Sequence, residues 1–314
     1  MAKIAKSIID LIGNTPLLRL NKVTQGLDVE VLVKLEIFNP GLSIKDRGAL
    51  GMIEGAERRG LLKPGSVVVS QTSGNLGTGL AIACAAKGYR MVAVMSETMS
   101  EERRQMLRAL GAEVVLIPAG SPVRGVVTTE DYTRAKAKAE EIARERQGFW
   151  VDQFENEDNV LTHRRTTGPE IIEQTDGRLD AFVAAVGSAG TAMGVAYALK
   201  NFNPKIRVVV VEPATSAPIS GGPVIGHHIQ GIATGTIPKF YDPSLTDEVI
   251  TVTDEEAAET ARRMAAEEGL FAGYSSGANV AAALKVARTM PAGQRVLTII
   301  NDTGLKYLST DLYR

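Results

Sequence analysis

At 314 residues the chain is long enough for two domains of ordinary size, or for one large α/β domain with an inserted lobe. A composition of 44% hydrophobic and 23% charged residues, with 31 Gly and 13 Pro, describes ample core and many tight loops and excludes disorder or a collagen-like repeat. With 35 Lys+Arg against 36 Asp+Glu the formal net charge is -1, so no global field draws the protein onto nucleic acid or an anionic membrane. The single cysteine, Cys84, forms no intramolecular disulfide and anchors no cysteine-rich zinc site, and three histidines are too few for a histidine metal cluster. The N-terminus lacks the apolar core of a signal peptide, and no run approaches the ~20 apolar residues of a membrane span. A cytoplasmic protein with no bound metal and no nucleic-acid or membrane partner is expected.

Short Val- and Ile-rich runs alternate with Ala-rich stretches of helical period, the pattern of parallel sheets covered by helices on both faces. In chain order, strands are predicted at Val67–Val69, Met91–Val94, Glu113–Ile117, Phe182–Val186, Val208–Val211 and Val296–Ile300. Helices are predicted at Leu76–Gly88, Ser100–Gly111, Thr133–Arg146, Ala192–Asn201, Asp254–Gly269 and Gly277–Met290. Gly88, Gly111 and Gly269 stand where C-caps belong, and Ser100, Asp254 and Ser276 where N-caps belong. Two long irregular stretches, Pro118–Thr129 and Glu212–Asp247, are of a length that is more often functional than idle.

The most informative local feature is Gln71-Thr72-Ser73-Gly74-Asn75-Leu76-Gly77, between a strand and an Ala-rich helix. Small residues there leave backbone N–H groups open to an anion, and the helix N-terminus adds its positive dipole end. A second turn of this kind, Gly187-Ser188-Ala189-Gly190-Thr191, follows the strand ending at Val186. Neither fits G-x-G-x-x-G or carries the Gly-Lys-Ser/Thr of a P-loop, which weakens dinucleotide and nucleoside-triphosphate readings. Phosphate bound at the second turn rests on backbone amides and the hydroxyls of Ser188 and Thr191. Upstream, Asn39-Pro40-Gly41-Leu42-Ser43-Ile44-Lys45 places Lys45 near a helix start, where the dipole disfavours the ammonium form and assists a neutral amine nucleophile or base. Taken singly, Lys45 also reads as a solvated lysine paired with Asp46, and Ser275-Ser276-Gly277 as a helix cap worth about 1 kcal/mol.

Jointly, these segments resemble the cysteine synthase family, the fold type II pyridoxal-phosphate enzymes that carry out β-replacement on an activated serine. The likeness runs from Ile12-Gly13-Asn14-Thr15-Pro16-Leu17, through Asn39–Arg47, Thr72–Gly77, Thr166-Thr167-Gly168-Pro169-Glu170, Gly187–Thr191 and Gly273–Gly277, to Tyr307-Leu308-Ser309-Thr310. It implies an α/β, two-lobed fold like the tryptophan synthase β chain, with parallel-rich twisted sheets covered by helices. The lobes implied are a small mobile one, 45–150, and a large cofactor-binding one, 1–44 with 151–314. The resemblance also implies roles for individual residues. Lys45 matches the lysine that holds pyridoxal 5'-phosphate as a Schiff base and moves the Cα proton. Asn75 matches the residue bonded to the cofactor's 3-hydroxyl, Gly187, Ser188, Ala189, Gly190 and Thr191 the phosphate loop, and Ser275 the serine facing the pyridine nitrogen. A neutral hydroxyl there does not force ring protonation as an aspartate would, so the ring is a weaker electron sink. Thr72, Ser73, Gly74, Asn75 and Gln153 match the substrate-carboxylate site, and Gln230-Gly231-Ile232-Ala233-Thr234-Gly235 the segment that tunes selectivity.

The implied reaction is β-replacement on O-acetyl- or O-phospho-L-serine through an α-aminoacrylate, with sulfide giving L-cysteine. A homodimer is implied, as is docking of a serine acetyltransferase tail as in some relatives. Several positions depart from the family pattern. Leu76 stands for a threonine that helps hold the substrate carboxylate, Leu42 for a glycine, Ser188-Ala189 for Thr-Gly and Asn301 for a proline. Leu76 also occurs in diaminopropionate synthases, so 2,3-diaminopropionate and cystathionine synthesis remain alternatives, as does a non-catalytic binding relative. His163, His227 and His228 read as structural or surface residues, and Cys84 as a small core residue.

Overall fold

The computed structural model describes residues 4–72, 74–120 and 129–314; Ser73 and positions 121–128 of the Pro118–Thr129 loop lie outside the described residues. The first half of the chain gives β1 (Leu17–Arg19), β2 (Glu30–Leu35), α1 (Lys45–Arg58), β3 (Val67–Gln71), α2 (Asn75–Lys87), β4 (Arg90–Ser96), α3 (Glu101–Ala109), β5 (Glu113–Ile117), α4 (Thr129–Glu145) and β6 (Phe149–Trp150). There follow α5 (Asp158–Arg165), α6 (Thr167–Gln174), β7 (Ala181–Ala185), α7 (Gly190–Phe202), β8 (Arg207–Pro213), β9 (Glu248–Val252), α8 (Asp254–Glu268), α9 (Tyr274–Ala287) and β10 (Arg295–Ile300). The chain divides into two compact units, Met1–Ile12 with Lys45–Asn159, and Gly13–Ile44 with Val160–Arg314.

In the first unit the sheet order is β5-β4-β3-β6, with every pair parallel. Its central strands, β3 and β4, are largely apolar runs because both faces are covered. Val68, Ala93 and Met95 join Met52, Ile53 and Leu80 of α1 and α2, while Val67, Val69, Val92 and Val94 join Ala139 and Ile142 of α4. This unit does not end at residue 150. Val151 N–H continues the pairing onto Val69 O at 2.8 Å, and Asp158 receives the guanidinium of Arg59 at 2.7 Å. The stretch 151–159 therefore groups with 45–150, and so does the segment preceding Gly13, which the sequence reading assigns to the other lobe.

In the second unit the order is β1-β2-β10-β7-β8-β9, parallel except for β1. One face packs on α8 and α9 through Val183, Val209, Val211 and Ile300, the other on α6 and α7 through Phe182, Val208, Val210 and Ile299. In this unit helices that precede or follow a parallel strand turn their N-termini to the strand C-terminal edge, where ligands of open α/β sheets bind.

Three predicted caps are corrected. The C-cap of α3 is Leu110, with Gly111 just beyond it at φ 85. Thr253, not Asp254, caps α8: its hydroxyl accepts the Glu256 N–H and the Glu256 carboxylate accepts the Thr253 N–H, a reciprocal box set by the Thr-x-x-Glu spacing. Ser276 lies inside α9, whose cap is Gly273, and its Oγ accepts the Asn301 N–H at 2.9 Å.

Candidate functional site

The predicted site residues fall into two sets, one per unit. In the first unit Lys45 opens α1 and is half-buried, whereas Asp46 and Arg47 are buried, so Asp46 is not a solvated residue. Asn75 opens α2. One turn later on the same helix face comes Gly79, where a Cβ would stand 3.0 Å from the Asp46 Cα and 3.1 Å from the Lys45 carbonyl oxygen. The absence of a side chain at Gly79 lets the first turn of α1 rest directly on α2, which sets Lys45 and Asn75 on facing helix surfaces.

Thr72 lies over Gly77, whose Cβ would meet its Cγ2 at 2.8 Å and its Oγ1 at 3.1 Å. Gly74 caps α2 with φ −152 and ψ −136 and no side-chain bond. Leu76 is buried in the apolar core, so at this position the loop presents only backbone to an anion. Gln153 is held by the Asn159 side-chain amide, which donates to its carbonyl at 2.8 Å, and Asn159 Oδ1 in turn sits where Gly48 of α1 leaves room. The side-chain oxygen of Gln153 is buried with no hydrogen-bond partner among the described residues, as expected of a group waiting for a ligand donor. Cys84 is buried in α2, and burial pushes its thiol up to about 12, which removes it as a nucleophile.

In the second unit, Gly187, Ser188 and Ala189 turn from β7 into α7, which starts at Gly190 with Thr191 in its first turn. Ala189 adopts φ 65, ψ −4, a left-handed conformation that costs a non-glycine residue about 1 kcal/mol. Its backbone therefore turns without the freedom of the family glycine. Gly187 is needed for a different reason: its Cβ would stand 3.0 Å from the Gly231 carbonyl oxygen. Gly231, at φ 93, is the residue next to Ser275, with 4.0 Å between its would-be Cβ and Ser275 Oγ, and Ala233 N–H ties the segment to Val186 O at 2.8 Å. Ser275 itself is 4% exposed on the first turn of α9.

Several residues that motif reading misses hold this set in place. His163, buried and not a surface residue, lies between Thr167, at 2.8 Å from its Nδ1, and Thr191, at 3.2 Å from its Nε2. Nothing in the local sequence signals it, because His163 lies near the end of α5 and Thr167 opens α6, across the break at Thr166. Asn279 ties α9 to two strand ends: its Oδ1 accepts the Ala185 N–H and its Nδ2 donates to Ile299 O, both at 2.7 Å. Asn301 Nδ2 donates to Ser275 Oγ at 3.1 Å. Behind the turn, Tyr313 OH donates to Ala272 O and Tyr274 OH donates to the Asp311 carboxylate. Burial first, and that carboxylate second, hold the Tyr274 phenol above its ordinary range, so it stays a neutral donor.

This second set suits a phosphorylated pyridine. Backbone N–H groups at the start of a 13-residue helix, joined by two hydroxyls and no lysine, form a donor set for a phosphate monoester. Ser275 adds one nearly buried hydroxyl suited to a single ring nitrogen. Among the described residues no group of three or more His, Cys, Asp or Glu is placed to hold a metal ion, and no helix is long and apolar enough to cross a membrane.

Comparison with known proteins agrees with this donor set. Residues 8–302 match the family model described as "Pyridoxal-phosphate dependent enzyme". A cysteine synthase of Staphylococcus aureus is 45% identical over 308 residues, covering 98% of this chain and 96% of its own. Among solved structures, an O-ureido-L-serine synthase is 43% identical with a TM-score of 0.91, covering 99% of this chain and 96% of its own. The O-acetylserine sulfhydrylase isoform 3 of Entamoeba histolytica is 40% identical with a TM-score of 0.91, covering 99% and 92%. With a helix-borne lysine, a lysine-free glycine-containing turn and a nearly buried serine already in the fold, this match over almost the whole length establishes that the chain belongs to the pyridoxal-phosphate dependent enzymes, in their fold type II class.

Proposed function

We propose that the protein replaces the β-substituent of an O-activated L-serine, O-acetyl- or O-phosphoserine, with sulfide to give L-cysteine. The observation that carries this reading is the packing of Gly79 onto the first turn of α1, which faces Lys45 toward the start of α2, where Asn75 stands. The cysteine synthase and O-acetylserine sulfhydrylase relatives support the substrate pair. When bound, pyridoxal 5'-phosphate supplies an electron sink for the charge that develops at Cα. Lys45 holds it covalently, then takes the Cα proton and later returns it. Gly187, Ser188, Ala189, Gly190 and Thr191 hold the phosphate, Asn75 bonds the 3-hydroxyl and Ser275 donates to the ring nitrogen. Thr72, Ser73, Gly74 and Gln153 hold the substrate carboxylate, and Gly231, at φ 93, supplies the left-handed turn that carries its segment past Ser275.

The same reading takes the protein as a cytoplasmic homodimer that docks a serine acetyltransferase tail and whose small lobe, extended to residue 159, moves on binding. The test offers acetylserine, phosphoserine and serine separately, each with sulfide, and measures cysteine. Turnover with an O-activated donor is expected, and no cysteine from any donor rejects the reading. One observation favours a second nucleophile class: Leu76, the leucine shared with diaminopropionate synthases, is buried in the core and gives a substrate carboxylate no side-chain hydrogen bond. An amino-acid nitrogen donor in the same panel distinguishes the two.

His163 gives a separate expectation. Replacing it with alanine strips both Thr167 and Thr191 of a partner in the interior, which costs about 1–1.5 kcal/mol, and affinity for pyridoxal 5'-phosphate should fall roughly tenfold. Titration of the apoprotein followed by absorbance measures it.

A further inference from the structure

Asn301 follows the last residue of β10 and is fixed on three sides. Its N–H donates to Ser276 Oγ at 2.9 Å, its carbonyl accepts the Ile44 N–H at 2.8 Å, and its Nδ2 donates to Ser275 Oγ at 3.1 Å. A serine hydroxyl has one hydrogen and two lone pairs. An amide N–H directed at Oγ makes that oxygen an acceptor, which leaves the hydroxyl hydrogen for a different partner, and among the described residues Ser275 Oγ has no other hydrogen bond. A bond received also polarises the O–H, strengthening the bond it donates. The proline usual at this position of the family has no side-chain N–H to give.

We infer that Asn301 is a positioning residue that fixes the direction of the Ser275 hydroxyl, so that Ser275 donates to the pyridine nitrogen and holds the ring unprotonated. This rests on the assignment of Ser275 to the ring nitrogen made above. Chemically, an unprotonated ring draws less charge from Cα, which favours loss of the β-substituent over reprotonation elsewhere on the cofactor.

Two substitutions move this arrangement in opposite directions. Asn301→Asp keeps the shape and both backbone bonds but offers a carboxylate oxygen, to which Ser275 donates; its Oγ can then only accept from the ring, which must carry a proton. Asn301→Ala removes the donor and leaves the hydroxyl free to rotate, weakening its bond to an unprotonated ring. The protein is loaded with cofactor labelled with ¹⁵N in the ring, and the resonance is recorded for the three forms at one pH. In Asn301→Asp it is expected to move from the unsubstituted position toward the pyridinium value. In Asn301→Ala it is expected to move the other way, toward a pyridine with no hydrogen bond. A purely structural role predicts no such opposition, so any result in which the two variants fail to shift in opposite directions overturns the inference. Borohydride trapping of cofactor on Lys45 in the unsubstituted protein is the separate check on the underlying assignment; its failure rejects that assignment and this inference with it.

Discussion

Replacing Lys45 with alanine is expected to lower turnover by about 10³-fold or more and to abolish borohydride-dependent labelling by pyridoxal 5'-phosphate. The proposed mechanism asks one amine both to hold the cofactor and to carry the Cα proton, and acid–base work alone contributes roughly 10²–10⁴-fold. Cofactor should still bind, because the proposed phosphate contacts at Gly187–Thr191 and the proposed ring contact Ser275 do not depend on the Lys45 side chain and keep their own hydrogen bonds. Folding should be retained as well, since Lys45 is only half-buried at the start of α1 and alanine is a better helix former. The measurement is mass spectrometry of the reduced protein beside a cysteine-forming assay. A Lys45→Ala protein that still carries the reduced cofactor on another residue and turns over normally would remove Lys45 from the mechanism. Lys45→Arg is a useful companion, because its guanidinium keeps the charge and stays protonated near neutral pH.

The largest expected loss of stability comes from Gly277→Ala. A Cβ on Gly277 would stand 2.0 Å from the Ala257 carbonyl oxygen and 3.0 Å from the Ala261 Cβ, so α9 and α8 can hold their spacing only if this position has no side chain. The obstructing atom is backbone inside a helix, which has no rotamer to change. Overpacking of this kind costs about 3 kcal/mol or more, a melting-temperature drop of roughly 6 °C or more. Because Ser275 lies two residues earlier on the same helix, cofactor affinity should fall with it. Gly226→Ala is the control: nothing lies within 4 Å of its would-be Cβ, and its melting temperature should stay close to that of the unsubstituted protein. Equal melting temperatures for the two variants would show that α8 and α9 yield more easily than a close-packed interior does.

Much of the fold was legible because β3, β4, β7, β8 and β10 are apolar runs with both faces covered, and because Gly88 and Gly269 end their helices in left-handed turns, φ 76 and φ 69. Strand β2 escaped notice for a definite reason. Lys34 reads as a solvated residue interrupting an apolar run, yet it is fully buried, where its ammonium meets the Glu170 carboxylate and Thr15 O, both at 2.7 Å. Strand β9 lies at the sheet edge beyond β8, so its apolar pattern is weaker, and α5 and α6 are each only eight residues long. The cap reading of Ser275-Ser276-Gly277 failed because the helix begins at Tyr274, which places Ser275 in its first turn.

Local chemistry was therefore written in adjacent residues: a lysine at a helix start, small residues after a strand, hydroxyls in a turn. Such features depend on backbone conformation over a few residues, and short-range patterns determine that well. The residues that stand behind them were decided by the sheet. His163 reaches Thr191 and Asn301 reaches Ser275 only because strand order β2-β10-β7 brings distant segments side by side. A period of apolar residues says that a strand exists and which faces are covered, but carries no information about which strand will be its neighbour. The hydrogen-bond partner of a site residue is therefore settled by packing of the whole unit.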